Sequence, residues 1–170
     1  GWSVANGQID LAIIGGQLPP ELENLLEITP YATDELALVL PSKHRLSKEK
    51  ELAKEDLYTL NFVTLDSQST TRKVVDELLK NSGLDIQRLK IEMELNSLEA
   101  IKNAVQSGLG AAFLPVVSIE RELASGTIHK PLITDLGVKR ELKLITNPSR
   151  YTSKASEAFK KDVLPQFSSF

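Results

Sequence analysis

The stretch DSQSTTRKVV, residues 66–75, collects hydroxyl and amide side chains and one guanidinium at the start of a helical pattern. Such a set suits three uses: a nucleophilic serine, an anion cradle or a helix cap. A serine nucleophile needs a base within hydrogen-bond reach. The only histidines are His44, in the charged run SKHRLSK, and His129, in GTIHKP, both expected on exposed loops. No G-x-S-x-G elbow occurs, and no catalytic residue is assigned. An anion is better served. The free N–H groups and dipole at a helix start favour negative charge. Ser69, Thr70 and Thr71 add short donors, and Arg72 offers a two-pronged fork for carboxylate or phosphate. Simple capping by Ser69 or Thr70, with Arg72 solvated, is the commoner use of these residue types.

The layout recurs at ELNSLEAIKNAVQSG, where a strand ends at Asn96–Ser97 and a helix follows with Glu99 in its first turn. Alone it reads as a cap; two polar strand ends together point toward a shared polar cleft. Gly15 and Gly16, after another strand, either let backbone approach a ligand closely or merely turn the chain before Pro19–Pro20. SGLGAAF carries G-x-G but leads into a strand and lacks a third glycine, so it reads as a helix stop and tight turn, not a dinucleotide fingerprint. Asp, Glu and His show no metal-ligand spacing. Glu49, Glu51, Glu55 and Asp56 read as a solvated helix face, and Glu92 and Glu94 as outward positions of one strand. No metal site and no cofactor are expected.

The elements that must position these groups follow from apolar periodicity. Strands are predicted at 9–14, 35–41, 61–65, 90–95, 110–115 and 140–146. Helices are predicted at 70–83, 97–108, 115–126 and 153–167, with Gly83, Gly108 and Gly126 at the ends of the first three. The alternation implies α/β architecture with a mostly parallel sheet covered on both faces. Pro41 and the segment 133–142 look like crossings between lobes, giving one lobe from 1–42 with 138–170 and a second from 43–137. Ligands in such sheets bind at the carboxyl ends of strands. WSVANGQID reads as the last turn of a helix entering a strand, so the natural chain is expected to extend upstream. No signal peptide is visible.

The chain has 170 residues, 20 Lys and Arg against 23 Asp and Glu, and no cysteine. Disulfides, thiolate nucleophiles and zinc–thiolate sites are excluded. No apolar run approaches the ~20 residues of a membrane span. Basic residues are scattered, which argues against nucleic acid binding by this segment itself.

Taken in order, NGQIDLAIIGG, ELALVLPSKHRLS, KEDL and ELNSLEAIKNAVQSGLGAAFLP resemble the effector-binding domain of LysR-type transcriptional regulators across essentially the whole chain. MELNSLEAIKNAVQSGLGAAF and NPSRYTSKASEAF are most similar to the branch controlling RuBisCO and carbon-fixation genes in cyanobacteria and plastids. The resemblance implies two Rossmann-like lobes of the type 2 periplasmic-binding-protein kind, with the opening strand–helix–strand of the first lobe missing. It implies a non-enzymatic sensor in the cytoplasm or plastid stroma, holding a small anionic, phosphorylated metabolite in the inter-lobe cleft. Effector contacts map onto Ser67, Gln68, Ser69, Thr70, Thr71 and Arg72, onto Asn96 and Ser97, and onto Gly15 and Gly16. The implied partners are a second copy, as homodimer or homotetramer, and DNA through an N-terminal domain outside this chain, with no membrane. A solute-binding protein of a transporter is the alternative.

Overall fold

A computed structural model describes residues 1–137 and 139–166. Val138 and residues 167–170, which include the end of the expected C-terminal helix and parts of the expected first lobe, lie outside the described residues. The elements run α1 (Trp2–Ala5), β1 (Leu11–Ile14), α2 (Pro20–Glu23), β2 (Glu27–Pro41), β3 (Glu51–Leu52), β4 (Asn61–Leu65), α3 (Thr70–Asn81) and β5 (Lys90–Leu95). There follow α4 (Leu98–Gln106), β6 (Ala112–Pro115), α5 (Glu120–Ala124), β7 (Ile128–His129), β8 (Leu132–Ile133), β9 (Lys139–Thr146) and α6 (Lys154–Ala158). The chain divides into two compact units, Gly1–Thr33 with Arg140–Phe170, and Asp34–Lys139. The first change of unit falls between Thr33 and Asp34, inside β2, which is one unbroken strand of 15 residues.

In the smaller unit, β1 and β9 pair antiparallel, with Leu11 opposite Thr146 and Ile14 opposite Lys143, and β9 is flanked on its other side by β2. Val4, Leu22, Leu26 and Ile145 form its buried core, with Ala12, Ile14 and Leu18 packed against them. Alternation along β1 places Ala12 and Ile14 on this face and leaves Ile13 exposed. Asp10 fastens the C-terminal segment. Its carboxylate accepts from the Ser153 N–H at 3.1 Å, the Ser153 hydroxyl at 2.5 Å and the Ser156 hydroxyl at 2.6 Å. These bonds, the Ser153 hydroxyl foremost, hold the Asp10 carboxyl below the usual carboxylate range.

The larger unit follows the strand–helix alternation read from residues 61–115. β4 and β5 are parallel, Leu65 opposite Leu95, and Ala111 bridges Phe62 in parallel on the other side. Each crossover carries a helix, as parallel pairing requires. Val75 and Leu79 of α3 cover one face together with Leu36, Leu38, Leu40 and Phe62. Ile101, Ala104 and Val105 of α4, with Ile119, cover the other face over Val39, Val63, Ala112 and Leu114. Each of the larger side chains, the alanines aside, contributes about 1.5–3 kcal/mol on burial. Two-sided burial explains why LALVL reads as a continuous apolar run. Gly110 is required by close approach: a Cβ there would lie 2.7 Å from the Asn61 carbonyl oxygen. The helix-stop-and-turn reading of SGLGAAF therefore holds.

Several expectations are corrected. The sheet is not mostly parallel, because β2 pairs antiparallel with β6 and β7, and β1 antiparallel with β9. No crossover helix separates β8 from β9 or returns β2 in the same direction, so the βαβ rule does not apply to them. The run 45–59 is not one helix but two 3₁₀ turns, Arg45–Lys48 and Lys54–Thr59, flanking β3. Leu52 is buried on β3, which pairs parallel with β8, and that tertiary pairing overrides the helical charge pattern. The 115–126 helix is split at Ile119, whose side chain is wholly buried. The C-terminal helix gives way after Ala158 to a wide π turn, Phe159–Val163, just before Pro165, which has no N–H to continue the ladder.

Candidate functional site

The register of β4 against β5 decides the geometry of the polar loops. Because Leu65 lies opposite Leu95, the loops starting at Asp66 and Asn96 leave the same carboxyl edge side by side. Residues 67–72 and 96–97 are thus brought to one corner of the larger unit. Gly15 and Gly16 follow β1 in the smaller unit, where they end that strand.

The 66–69 loop is built locally. The Asp66 carboxylate accepts from the Gln68 N–H at 2.9 Å, and the Ser69 N–H donates to the Asp66 carbonyl at 3.0 Å, an Asx turn leading into the helix. Ser69 then caps α3, its hydroxyl accepting from the Arg72 N–H at 3.5 Å, a long bond. Ser67, Gln68 and Thr70 are exposed, and Gln68 accepts from Lys73 at 3.4 Å. Ser97 caps α4 through the Ala100 N–H at 3.2 Å, and Asn96 beside it is exposed. The capping role weighed at both serines is therefore real, and it leaves the exposed hydroxyl and amide groups of Ser67, Gln68, Thr70 and Asn96 facing solvent.

Arg72 departs from the solvated fork that the residue pattern allowed. Its Nε donates to both Asp76 carboxylate oxygens at 2.9 and 3.0 Å. Its Nη1 bonds the Thr64 hydroxyl, reaches the Leu65 carbonyl at 3.3 Å and stands 3.6 Å from Glu94. The guanidinium side chain is 16% exposed. It lies over a recess between α3 and the sheet whose floor includes Phe62, Val75, Leu79, Ile91 and Phe113, with Thr71 at its rim. Glu94, expected to face solvent with Glu92, is exposed on one side yet contributes to this arginine's surroundings. Thr64, Asp76 and Glu94 are neighbours of Arg72 that local reading missed. Asp76 alone was visible, as an i,i+4 partner.

Several other titratable groups have structural duties. His44 Nδ1 accepts from the Leu46 N–H at 3.2 Å, and burial, then the Arg45 charge, push its pKa down. His129 sits on β7 opposite Leu40, its Nε2 3.2 Å from the Glu49 carbonyl. Both rings are half-buried, correcting the exposed-loop expectation; strand pairing at 128–129 and the 3₁₀ turn after His44 are the reasons. Lys102 bonds Glu99 at 2.9 Å and Glu122 at 3.0 Å, tying α4 to α5. The Glu99 bond, then that to Glu122, raises the lysine, and the same contact holds Glu122 low. Asp56 closes the turn at Ala53, accepting its N–H at 2.9 Å, and Glu51 accepts from the Thr134 hydroxyl at 2.8 Å. Among the described residues no group of three or more His, Cys, Asp or Glu side chains is placed to hold a metal ion. No helix among them is long and apolar enough to cross a membrane.

Two α/β units with polar loops at strand ends form a fold shared with solved structures. One is the regulatory domain of Synechocystis PCC6803 CcmR in complex with 2-PG, with a TM-score of 0.82 at 22% identity, covering 97% of this chain and 76% of that one. The effector-binding domain of QuiR in complex with shikimate gives 0.78 at 24% identity, covering 96% and 74%. The chain belongs to the LysR family: the LysR substrate binding domain matches residues 2–167. It is 61% identical to a probable RuBisCO transcriptional regulator of Trichormus variabilis and 58% identical to one of Porphyra purpurea, over 98% of this chain in both cases. It spans about half the length of these relatives, 49% and 52%.

Proposed function

We propose that this chain is the effector-sensing domain of a transcriptional regulator of carbon-fixation genes, and that its effector is a small anionic, phosphorylated metabolite. The observation that carries the reading is the 61% identity to a RuBisCO transcriptional regulator over 98% of the chain. The solved CcmR relative in complex with 2-PG supports a phosphorylated ligand. Contact by Ser67, Gln68, Ser69, Thr70 and Thr71 with Asn96 and Ser97 is supported by their gathering at one carboxyl edge, where helix starts favour anions. Gly15 and Gly16 are proposed as the contact in the smaller unit. Arg72 contributes after exchanging one carboxylate partner for the ligand. The lobe bounds 1–42 with 138–170 and 43–137 remain a proposal for the sensing units.

An effector acts by its difference in affinity for two conformations. The domain works without chemistry of its own, as part of a homodimer or homotetramer in the cytoplasm or plastid stroma. DNA is held by a domain outside this chain. The engaged histidines support the non-enzymatic reading, and the LysR match favours a regulator over a transporter's solute-binding protein. Calorimetry of the intact protein against 2-phosphoglycolate, ribulose bisphosphate and NADPH tests the proposal, with glycolate as control. Saturable binding of a phosphorylated compound, weakened by Ser69→Ala or Thr71→Ala, is the expected outcome. Binding of none of them refutes it.

A further inference from the structure

The core-facing positions of β9 change character at one end of the strand. The pairing with β1 sets Ala12 opposite Ile145 and Ile14 opposite Lys143. Directly opposed residues of an antiparallel pair share a face. Lys143 therefore stands on the face of Ala12, Ile14 and the wholly buried Ile145. An apolar residue would continue that core. A lysine there covers apolar surface with its stem and carries its ammonium to the end of the strand pair.

A recess of about 570 Å³ lies at that end, bordered by Ile14, Gly16, Leu18, Glu23, Ile28 and Lys143. Its size suits a small metabolite, and all of these residues belong to the smaller unit. It sits past the carboxyl end of β1, the side on which α/β sheets take ligands. Among the described residues the Lys143 ammonium forms no ion pair, Glu23 across the recess included. The turn adds neutral donors. Gly16, Gln17 and Leu18 donate no backbone hydrogen bond to another described residue, and Pro19 and Pro20 have no N–H to donate. Gly16 and Leu18 are half-buried, and such N–H groups need a partner from solvent or ligand.

We propose that Lys143 is the cation that receives the effector's phosphoryl group, in the recess at the end of β1, with the N–H groups of Gly16, Gln17 and Leu18 as donors beside it. The assignment rests on the effector reading above and deepens it. It places selectivity for phosphorylated over unphosphorylated acids in the smaller unit, on the last strand. Glu23, a carboxylate on the wall of the recess, restrains the affinity because it repels the same anion.

Calorimetry of the intact protein with 2-phosphoglycolate, and in parallel with glycolate, tests it. Lys143→Gln is expected to weaken 2-phosphoglycolate binding roughly tenfold to a hundredfold, the range of one charge-assisted hydrogen bond. Glycolate binding should change far less. Lys143→Arg keeps the charge and should keep the greater part of the affinity. Glu23→Gln should strengthen 2-phosphoglycolate binding roughly two- to fivefold through loss of a like charge, an effect that a merely structural role for Lys143 does not produce. Lys154→Gln, a cation on α6 outside the recess, should leave affinity unchanged. Circular dichroism of each variant establishes that the fold is kept. Affinity for 2-phosphoglycolate that survives Lys143→Gln, an equal loss for glycolate, an equal loss from Lys154→Gln, or weaker binding in Glu23→Gln overturns the assignment while the effector reading stands. Failure of the wild type to bind 2-phosphoglycolate, ribulose bisphosphate or inorganic phosphate overturns both.

Discussion

Replacing Arg72 with alanine separates its structural duty from any ligand contact. An exposed i,i+4 ion pair contributes only about 0.3–0.5 kcal/mol. This one is less exposed, at 16% and 23% for the two side chains. The guanidinium also bonds the Thr64 hydroxyl and the Leu65 carbonyl, and hydrogen bonds to charged groups contribute about 1.5–3 kcal/mol. Alanine's higher helix propensity returns a few tenths of a kcal/mol. The net loss expected is about 1–2 kcal/mol, localised where α3 meets β4. Native-state hydrogen exchange of the intact protein, without effector, reads this directly. Amide protection in Thr70–Asn81 should fall by a factor of roughly 5–30. A double-mutant cycle with Asp76→Ala should show coupling of about 0.5–1.5 kcal/mol. A change in protection below about twofold, or strict additivity in the cycle, would refute the reasoning. The guanidinium would then be held too weakly by its carboxylates to matter, and Arg72 would be as available to an anion as its sequence context suggests.

Gly110→Ala should destabilise the larger unit by about 1–3 kcal/mol, since its Cβ meets the Asn61 carbonyl at 2.7 Å and neither backbone can yield without breaking the β4 bridge; an unchanged melting temperature would contradict the contact. Leu79→Ala should lower stability by about 2–5 kcal/mol, because its side chain is wholly enclosed under α3; denaturant titration measures it. Asp10 binds its proton less readily in the native than in the unfolded chain. Between the ordinary carboxylate value and its lowered native one, the unfolded chain therefore carries more protons, and stability rises with pH. The contribution is present above the ordinary value and is lost as pH falls through the native one. Melting temperatures of wild type and Asp10→Asn from about pH 5 down to about pH 2.5 should converge; a constant gap would exclude this carboxylate as the source.

Local signals carried much of the larger unit. The strands at 61–65 and 90–95 have the bounds expected, and α3 and α4 begin at serine caps and stop at glycines. Alternation of strand and helix makes parallel pairing there almost unavoidable, which is why the sequence pattern alone points loops 67–72 and 96–97 to one edge. The extension of β2 back to Glu27 was not legible. EITPYATD is mostly exposed and polar, with a proline inside, and only pairing with β9 organises it as a strand.

Residue types, their spacing and the family resemblance between them determined the α/β class, the polar strand ends and the absence of thiol chemistry. They did so because caps, periodicity and composition act within a few residues of each other. Tertiary structure alone decided which cation stands where. Arg72 turns inward because parallel pairing brings Glu94 beside Thr64, and Arg140 lies over Gly15 because two strands more than a hundred residues apart pair in one antiparallel register. A short-range pattern cannot encode that, since the register is set by burying Ala12, Ile14 and Ile145 together rather than by either basic residue.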